Sequence, residues 1–319
     1  MAGRRRLDAE LVRRGMADSR TSAQRLVDQG RVLVAGSPAV KAARLVAPEE
    51  PITLTGPPPR YVGRGAEKLE AALAGFGIDP TDRVALDAGA STGGFTDCLL
   101  QHGATRVVAV DVGRGQLHER LRRDPRVEVR ERTDIRALAT SDGQLGDDRR
   151  FSLVVADLSF ISLRSVAAAL LALAEPDADL VVLVKPQFEA GRAEVSRGRG
   201  VIRDPEVWRS ALTGAINAME TAGAANMGTM VSPLRGADGN VEFLTWFRAV
   251  GARTTPRPDE AVAADADTAV QVAQAAQTGG TGAGPTGAGP TGAGPTGAGR
   301  TGAGGGDGIE ARGTGGAGD

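Results

Sequence analysis

The sequence has very little cysteine and histidine. It contains one cysteine, Cys98, and two histidines, His102 and His118, in 319 residues. A single cysteine excludes an intramolecular disulfide and is typical of proteins in a reducing compartment. Because the two histidines are too few and too isolated for an ordinary metal site, we predict that no metal is bound.

Long apolar segments are also absent. The longest uncharged apolar run, Val166 to Ala174, is far shorter than the roughly 20 residues that a membrane-spanning helix requires. The first residues, MAGRRRLDAELVRRG, contain arginines but lack the apolar segment of a signal peptide. These absences predict a soluble, cytoplasmic protein without a membrane partner.

The small net charge of -1 conceals an uneven distribution. Residues 1–64 contain 12 Lys and Arg against 6 Asp and Glu. Within this basic region, LDAELVRRGM and SRTSAQRLVDQG predict two short amphipathic helices, and RVLVAG and PITL predict short strands. A prolyl run, Pro57 to Pro59, then predicts a stiff connection to the rest of the chain.

The end of the chain has a composition unsuited to a folded core. From residue 279 onward it repeats TGAGP, and 19 of the 45 glycines in the chain follow residue 278. Such a segment buries too little apolar surface to offset the entropy of ordering it, so we expect disorder. Residues 251–278 are polar and rich in alanine, and we assign them to the same disordered tail.

Between these two ends, apolar strands alternate with helical segments. This rhythm predicts an α/β domain with a doubly wound, Rossmann-like sheet of seven strands, covered by helices on both faces. No helical segment separates the last two strands, so we expect them to form an antiparallel pair at one edge. The strand candidates are RVALD (83–87), RVVAVD (106–111), RVEVR (126–130), FSLVVAD (151–157), DLVVLVK (179–185), NMGTMVS (226–232) and VEFLTWF (241–247).

The loop after the first of these strands is rich in glycine. It reads DAGASTGG over residues 87–94, which is not the G-x-G-x-x-G spacing of a dinucleotide site. A pyrophosphate favours an uncharged approach to the helix N-terminus, whereas Asp87 places a carboxylate there and favours a cationic ligand. S-adenosylmethionine carries an ammonium and a sulfonium but no phosphate. The loop therefore favours this methyl donor, although turn geometry alone also explains such glycines.

Two further aspartates follow the next strands. Asp111 ends the second strand, where an acidic residue commonly accepts hydrogen bonds from a ribose diol. Asp134, in RTDIR, is expected to meet the adenine amine. Phe160, in DLSFISL, either flanks the cofactor or packs beneath the loop.

Four polar residues share the edge of the predicted sheet or flank it. Asp157 and Lys185 each end an apolar strand, Lys68 lies on the helix before the first strand, and Glu242 begins the last one. Each has an ordinary structural explanation, as a helix cap, an exposed cation or an edge residue. Together they suit methylation of a ribose hydroxyl. A lysine beside another cation can orient or accept the proton of the hydroxyl, and neighbouring carboxylates can fix the positions of the lysines.

The ordered set of motifs resembles one family. RLDAELVRRG, SRTSAQRLVDQGRVLV, RGAEKL, LDAGASTGGFTDCLL, VVADLSFISL, LVKPQFEAGR and SPLRGADGNVEFL occur in the order typical of TlyA-type haemolysins. The resemblance covers about residues 4–248 and implies an S4-like RNA-binding domain, of the α+β class, before an FtsJ-like methyltransferase domain. It implies S-adenosylmethionine as cofactor, cytidine ribose in ribosomal RNA as substrate, and ribosomal subunits as partners.

The resemblance also implies roles for individual residues. The catalytic set of the family falls on Lys68, Asp157, Lys185 and Glu242. The expected donor contacts are Asp87, Gly89, Ala90, Ser91, Thr92, Gly93, Asp111, Asp134 and Phe160. The basic residues expected to contact RNA are Arg4, Arg6, Arg14, Arg20, Arg25 and Lys41. One departure lies in PRYVGRG, where relatives often have serine in place of Gly63.

These observations predict four segments: an S4-like domain over residues 1–58, a linker over 59–64, a methyltransferase domain over 65–250 and a disordered tail over 251–319. Two alternative functions stay open. The chain could be a non-catalytic RNA-binding factor in ribosome assembly, or a membrane-active haemolysin, although the absence of a membrane-length segment disfavours the second.

Overall fold

A computed structural model describes residues 3–17, 20–57, 60–140, 150–191, 194, 198, 200–236 and 238–278. Within these residues, no helix is both long and apolar enough to cross a membrane. The Gly-rich segment expected to be disordered, residues 279–319, and two prolines of the predicted prolyl run, at 58 and 59, lie outside the described residues.

The N-terminal part is a small α+β unit, as the sequence predicts. Its two helices pack on one another, and its own core is built from side chains such as Leu7, Leu11 and Val32. One sheet pairs β1 with β4, and the other has the order β3-β2-β5. The elements are β1 (Arg5–Arg6), α1 (Leu7–Arg13), α2 (Arg20–Asp28), β2 (Val32–Val34), β3 (Ser37–Pro38), β4 (Leu45–Val46) and β5 (Ile52–Leu54).

The larger part contains the predicted seven-stranded sheet, in the order β11-β12-β10-β9-β6-β7-β8. All seven predicted strands are present; six agree to within two residues at each end, and β10 begins five residues earlier than predicted. The strands are β6 (Val84–Ala88), β7 (Arg106–Asp111), β8 (Val127–Glu131), β9 (Phe151–Ala156), β10 (Ala174–Val184), β11 (Ala224–Val231) and β12 (Phe243–Ala249).

Helices cover both faces of this sheet, because its central strands are apolar on both sides. In β9, for example, Val154 belongs to the core on one face and Val155 to the core on the other, and both are fully buried. The helices are α3 (Gly65–Phe76), α4 (Gly94–Gln101), α5 (Glu119–Arg122), α6 (Ile135–Thr140), α7 (Ala167–Ala172), α8 (Pro186–Glu189), α9 (Pro205–Thr221) and α10 (Asp259–Thr278); a 3-10 turn spans Leu163–Ser165.

The strand directions bring the candidate site residues to one edge of the sheet. β6, β7, β8, β9 and β10 pair in parallel, so their carboxyl ends meet at the same edge of the sheet. β12 is antiparallel to both β10 and β11, which confirms the predicted antiparallel pair. Because β12 runs against β10, its first residues return to the edge where β10 ends.

Part of the expected disordered tail is instead the helix α10. It packs on β11 and α9 and buries a stripe at helical spacing that includes Val262, Ala266, Ala269 and Val270. Small alanines at these positions let the helix approach closely, and this is why composition alone suggested a weak core.

Polar contacts also hold this helix and the chain that leads to it. The carboxylate of Asp177 accepts hydrogen bonds from Thr254 Oγ1 at 2.6 Å and from the backbone N–H of Arg253 at 3.0 Å. Arg209 on α9 pairs with Asp267 on α10 at 2.6 Å. Residues 251–278 therefore belong to the folded unit.

The docking of α10 can be tested with a pair of substitutions. Ala269 is 4 % exposed and faces the core, whereas Ala264 on the same helix is exposed. Ala269→Glu should lower the free energy of unfolding by about 3 kcal/mol, because it buries an unpaired carboxylate. Ala264→Glu should change it by less than about 0.5 kcal/mol. Urea unfolding measures both, and equal stability of the two variants would contradict a docked helix.

Candidate functional site

The four polar residues singled out in the sequence lie where the strands end. Asp157 follows β9 and Lys185 follows β10. In the β10–β12 pair, Val184 lies opposite Phe243, so Lys185 and Glu242 are the next residues beyond the last pair. Lys68 comes from α3, and its side chain reaches Glu242. The fold thus brings all four residues to one edge of the sheet, although their sequence separations are large.

These residues form two ion pairs. Lys185 Nζ lies 2.6 Å from Asp157 Oδ1, and Lys68 Nζ lies 2.5 Å from Glu242 Oε2. Both lysines and Glu242 are buried, while Asp157 keeps about a quarter of its side chain exposed, at 23 %. Because a buried ammonium without a counter-charge is costly, each carboxylate stabilises the placement of its lysine. The arrangement holds two cations at a defined position with little net charge.

Lys185 has two further neighbours. Its Nζ donates a hydrogen bond to Ser159 Oγ at 2.9 Å, and it lies 5.8 Å from the centroid of the Phe188 ring. Pro186 begins α8 directly after it, and the Lys185 backbone is extended, as expected for a residue before proline. The ammonium is therefore oriented by Asp157, Ser159 and Phe188 together.

The glycine-rich loop touches this group of residues. Gly89 has a φ of +85°, and a Cβ there would lie 2.7 Å from the carbonyl oxygen of Asp157. Gly93 has a φ of +95°, and a Cβ there would meet the ends of the Leu117 and Leu121 side chains. Both positions favour glycine for conformation, and at Gly89 the neighbouring backbone also leaves no space for a Cβ. The loop therefore packs directly against the strand end that carries Asp157.

A small pocket lies on the other side of this loop. The carboxylate of Asp111 accepts hydrogen bonds from the backbone N–H groups of Ser91 at 2.8 Å and Gly113 at 2.6 Å. This arrangement ties the end of β7 to the glycine loop. The pocket is lined by Ala90, Ser91, Ala109, Asp111, Gly113, Gln116, Leu117, Val129 and Glu131.

Two polar residues in this pocket were missed in the sequence. Gln116 accepts a hydrogen bond from Ser91 Oγ at 3.3 Å, and Glu131 accepts one from the backbone N–H of Gly115 at 2.8 Å. Glu131 ends β8 as Asp111 ends β7, so its place at a strand end was an available signal. Asp134 lies three residues beyond Glu131 and pairs with Arg136; it is not among the residues that line the pocket.

Asp87 occupies a different environment from the other carboxylates. It is fully buried, and its Oδ2 accepts a hydrogen bond from Thr96 Oγ1 at 2.6 Å, which ties β6 to α4. Its Oδ1 is buried without a hydrogen-bond partner in the described part of the chain. Burial raises the pKa of the carboxyl to about 7, and the nearby charge of Asp157 adds to this effect.

Phe160 lies on the surface rather than beneath the loop. It is 91 % exposed, and its ring contacts that of Phe188 with a centroid distance of 5.2 Å. Its φ of +63° is unusual for a residue with a side chain. An exposed aromatic ring is thus held close to the Lys185–Asp157 pair.

The segment before α3 also rests on the glycine loop and its helix. The backbone N–H of Val62 donates to Asp97 Oδ2 at 2.8 Å, and Gln101 Nε2 donates to the carbonyl oxygen of Arg60 at 2.9 Å. A Cβ at Gly63 would lie 3.1 Å from Thr92 Oγ1, so the serine that relatives often have would fit only after a small shift.

The basic residues of the N-terminal unit differ in how they are bonded. The guanidinium of Arg14 bonds within the unit. It pairs with the carboxylate of Glu10 at 2.8 Å and donates to the carbonyl oxygens of Pro48 at 2.7 Å and Glu50 at 3.0 Å. These contacts hold α1 against residues 48–50. Two others, Arg6 and Arg20, share the buried carboxylate of Asp8 but remain about half exposed. The exposed residues Arg4 and Lys41 complete the basic surface with Arg25.

Arg25 differs from the other basic residues of this unit in its charged neighbours. Among the described residues, no carboxylate pairs with it, and it is half-buried. Desolvation lowers the pKa of its guanidinium, and the neighbouring charge of Arg64 lowers it further. Two neighbouring cations favour the approach of an anion.

Sequence profiles of two families match the chain. The FtsJ-like methyltransferase profile matches residues 61–249, and the S4 domain profile matches residues 5–52. The two matches fall on the seven-stranded part and on the basic N-terminal unit, respectively.

Individual relatives agree with these matches. The 16S/23S rRNA (cytidine-2'-O)-methyltransferase TlyA of Mycobacterium tuberculosis is 49 % identical over 249 residues, which cover 78 % of this chain and 91 % of that protein. Hemolysin A of Brachyspira hyodysenteriae is 38 % identical over 242 residues, covering 76 % and 99 %. A solved structure of a hemolysin-named protein from Streptococcus thermophilus aligns with a TM-score of 0.67 at 33 % identity, covering 88 % of this chain and 100 % of that chain.

The buried carboxyl of Asp87 should make stability depend on pH. Its pKa is about 7 in the folded protein against 3.8 for an exposed aspartate, so the folded state retains a proton that the unfolded chain has lost. The free energy of unfolding should therefore fall as the pH rises from about 4 to about 7. Asp87→Asn stays neutral, and this contribution should disappear.

Guanidinium unfolding at pH 5 and pH 8 measures this effect. The stability of Asp87→Asn relative to the unsubstituted protein should rise by about 2–3 kcal/mol between these values. The comparison cancels other titrating groups that both proteins share. A difference that does not vary with pH would show that Asp87 is ionised in the folded state.

Proposed function

Since this chain belongs to the FtsJ-like methyltransferases, in the group that includes TlyA, we propose that it methylates the ribose 2'-hydroxyl of cytidine in ribosomal RNA. Its cofactor is S-adenosylmethionine, as the glycine-rich loop predicts. The acceptor and its site rest on the relatives named for that reaction and on the residues at the sheet edge. The chain would act where ribosomal subunits are, in the cytoplasm.

The main support for this proposal is the two lysines at the sheet edge, each of which is paired with a carboxylate. S-adenosylmethionine supplies an activated methyl group, so the protein must chiefly hold the acceptor hydroxyl in line and manage its proton. Lys185, oriented by Asp157 and Ser159, presents its Nζ at the edge for that hydroxyl. Lys68 and Glu242 form the adjacent pair and provide a second fixed charge. A factor that only bound RNA would not need two buried ion pairs there.

The loop and the pocket fit the cofactor chemically. The pocket combines the apolar side chains of Ala90, Leu117 and Val129 with the carboxylates of Asp111 and Glu131. Apolar walls suit an adenine ring, and carboxylates at strand ends suit the ribose diol. Asp87, with its unpartnered Oδ1 behind the loop, is a candidate counter-charge for the ammonium of the donor.

The acceptor side of the proposal rests on the N-terminal unit. We propose that residues 1–58 bind RNA phosphates through Arg4, Arg6, Arg20, Arg25 and Lys41, while residues 65–250 transfer the methyl group. The unit is basic, and such contacts give binding that weakens steeply with salt. Phe160, exposed near Lys185, offers a surface on which an unstacked base could rest.

Transfer of a tritiated methyl group to ribosomal subunits tests the proposed reaction. The unsubstituted protein should label cytidine at the 2'-oxygen. Lys185→Met keeps the aliphatic stem but removes the ammonium, and it should lower the rate by at least about 100-fold, in the range of lost acid–base catalysis. Donor affinity, measured by calorimetry, should be nearly unchanged because Lys185 is not part of the Asp111 pocket.

Two results would contradict this proposal. Labelling of a base carbon or nitrogen, or none at all, by the unsubstituted protein would overturn the assigned reaction. Full turnover by Lys185→Met would remove Lys185 from the mechanism while leaving the reaction itself in place.

Arg25 provides a test of the RNA-binding surface. Arg25→Gln should weaken binding to ribosomal RNA about fivefold and reduce the slope of log affinity against log salt by about one. Arg253→Gln is the matched control, since its side chain is 83 % exposed and lies outside the basic unit. Fluorescence anisotropy over a potassium chloride series measures both variants. Identical slopes for the two would exclude a phosphate contact at Arg25.

A further inference from the structure

The two loops that carry the catalytic candidates are fastened together by Glu189. This residue ends α8, four positions after Lys185. Its Oε1 accepts a hydrogen bond from the backbone N–H of Leu163 at 2.7 Å, and its Oε2 accepts one from Ser162 Oγ at 2.6 Å. Both partners belong to the loop that follows β9. A single carboxylate therefore connects the segment after β10 to the segment after β9.

The loop held in this way contains the residues that orient Lys185. Asp157 and Ser159, which orient Lys185, lie in it, and so does Phe160. The start of the loop is fixed by the backbone N–H of Asp157, which donates to the carbonyl oxygen of Ala88 at 3.0 Å. Glu189 fixes its far end.

Burial alone does not hold this loop in place. Phe160, at its centre, is 91 % exposed and has a φ of +63°, a conformation that L-residues adopt only when the surroundings impose it. Its ring contacts Phe188, which lies on the same helix as Glu189. The strained conformation thus depends on contacts from α8 on one side and on the anchored ends.

The local hydrogen bonds also show what the carboxylate does. Ser162 Oγ accepts from the backbone N–H of Arg164 at 3.2 Å and caps the 3-10 turn, so its hydroxyl hydrogen is available to Glu189. The N–H of Leu163 is one of the first of that turn and has no partner within it. Glu189 satisfies both groups at once.

From these contacts we infer that Glu189 is a positioning residue for methyl transfer: it holds the loop of residues 157–163 so that Asp157 and Ser159 aim the Lys185 ammonium at the acceptor. The Glu189 carboxylate bonds to Ser162 and Leu163, and Glu189 is not among the residues that line the Asp111 pocket. The inference rests on the proposed function, because it assigns a purpose to the geometry of that same site. It predicts an effect on turnover that is separate from donor binding.

Steady-state methyl transfer to ribosomal subunits tests this inference in the full chain. Glu189→Ala should lower kcat about 10- to 100-fold, since a displacement of the aiming groups by about 1 Å costs that much. Its donor Kd, measured by calorimetry, should stay within about twofold. Glu189→Gln keeps an acceptor for Leu163 N–H and a polar partner for Ser162, and it should recover most of the lost turnover.

Hydrogen exchange and two further variants complete the experiment. Glu189→Ala should speed amide exchange in the peptide spanning residues 157–165 and leave the peptide spanning 87–101 unchanged. Glu220→Ala, which removes an exposed glutamate near the end of α9, should behave as the unsubstituted protein. If Glu189→Ala does not fold, Ser162→Ala keeps the Oε1 contact, removes the Oε2 contact together with the cap on the Arg164 N–H, and should still lower kcat.

The outcomes separate this inference from the proposed function. Absence of transfer by the unsubstituted protein would overturn the reaction itself. With transfer established, unchanged kcat in Glu189→Ala, or in Ser162→Ala if that variant replaces it, would overturn the inference. So would a parallel loss of donor affinity, or failure of Glu189→Gln to recover turnover, because both would indicate a general structural role.

Discussion

The burial of two ammonium groups is the constraint on which the site depends. An unpaired buried charge costs several kcal/mol, so Lys68 and Lys185 can occupy the sheet edge only if a carboxylate accompanies each. Those carboxylates come from distant parts of the chain, Glu242 before β12 and Asp157 after β9. The strands must therefore pair in one register, because any other register would leave a buried lysine without its carboxylate. Folding and assembly of the site are in this sense the same event.

The reversed direction of β12 serves the same constraint. A seventh strand parallel to the rest would begin at the opposite edge, away from Lys185. Because β12 is antiparallel to β10, its first residue lies opposite the last residue of β10, and Glu242, one residue before β12, lies at the site. On the other side of Asp157, residue 89 must be glycine, because a Cβ there would lie only 2.7 Å from the carbonyl oxygen of Asp157. The loop and the strand end thus share one close contact.

The sequence revealed those features whose signal is local. Continuous apolar runs identified the strands, and polar residues at their ends identified Asp157 and Lys185 as neighbours. The ion pair of Lys68 with Glu242 spans 174 positions, and no local pattern encodes it; the family resemblance placed both residues in one catalytic set but did not pair them. The helix α10 was missed because alanine packs closely while contributing little apolar character. Arg14 looked like a phosphate ligand, since composition cannot show that Glu10 and nearby carbonyl oxygens already occupy its donors.

The charge balance of the site bears on how it accepts a cationic cofactor. Two lysines and their two carboxylates neutralise one another, so these pairs offer little attraction for the ammonium and sulfonium of the donor. Asp87 differs, because burial holds its pKa near 7 and an adjacent cation would favour its ionised form. If Asp87 balances the donor ammonium, as we propose, donor binding shifts its carboxyl toward the ionised form, and near pH 7 donor binding and proton release are linked.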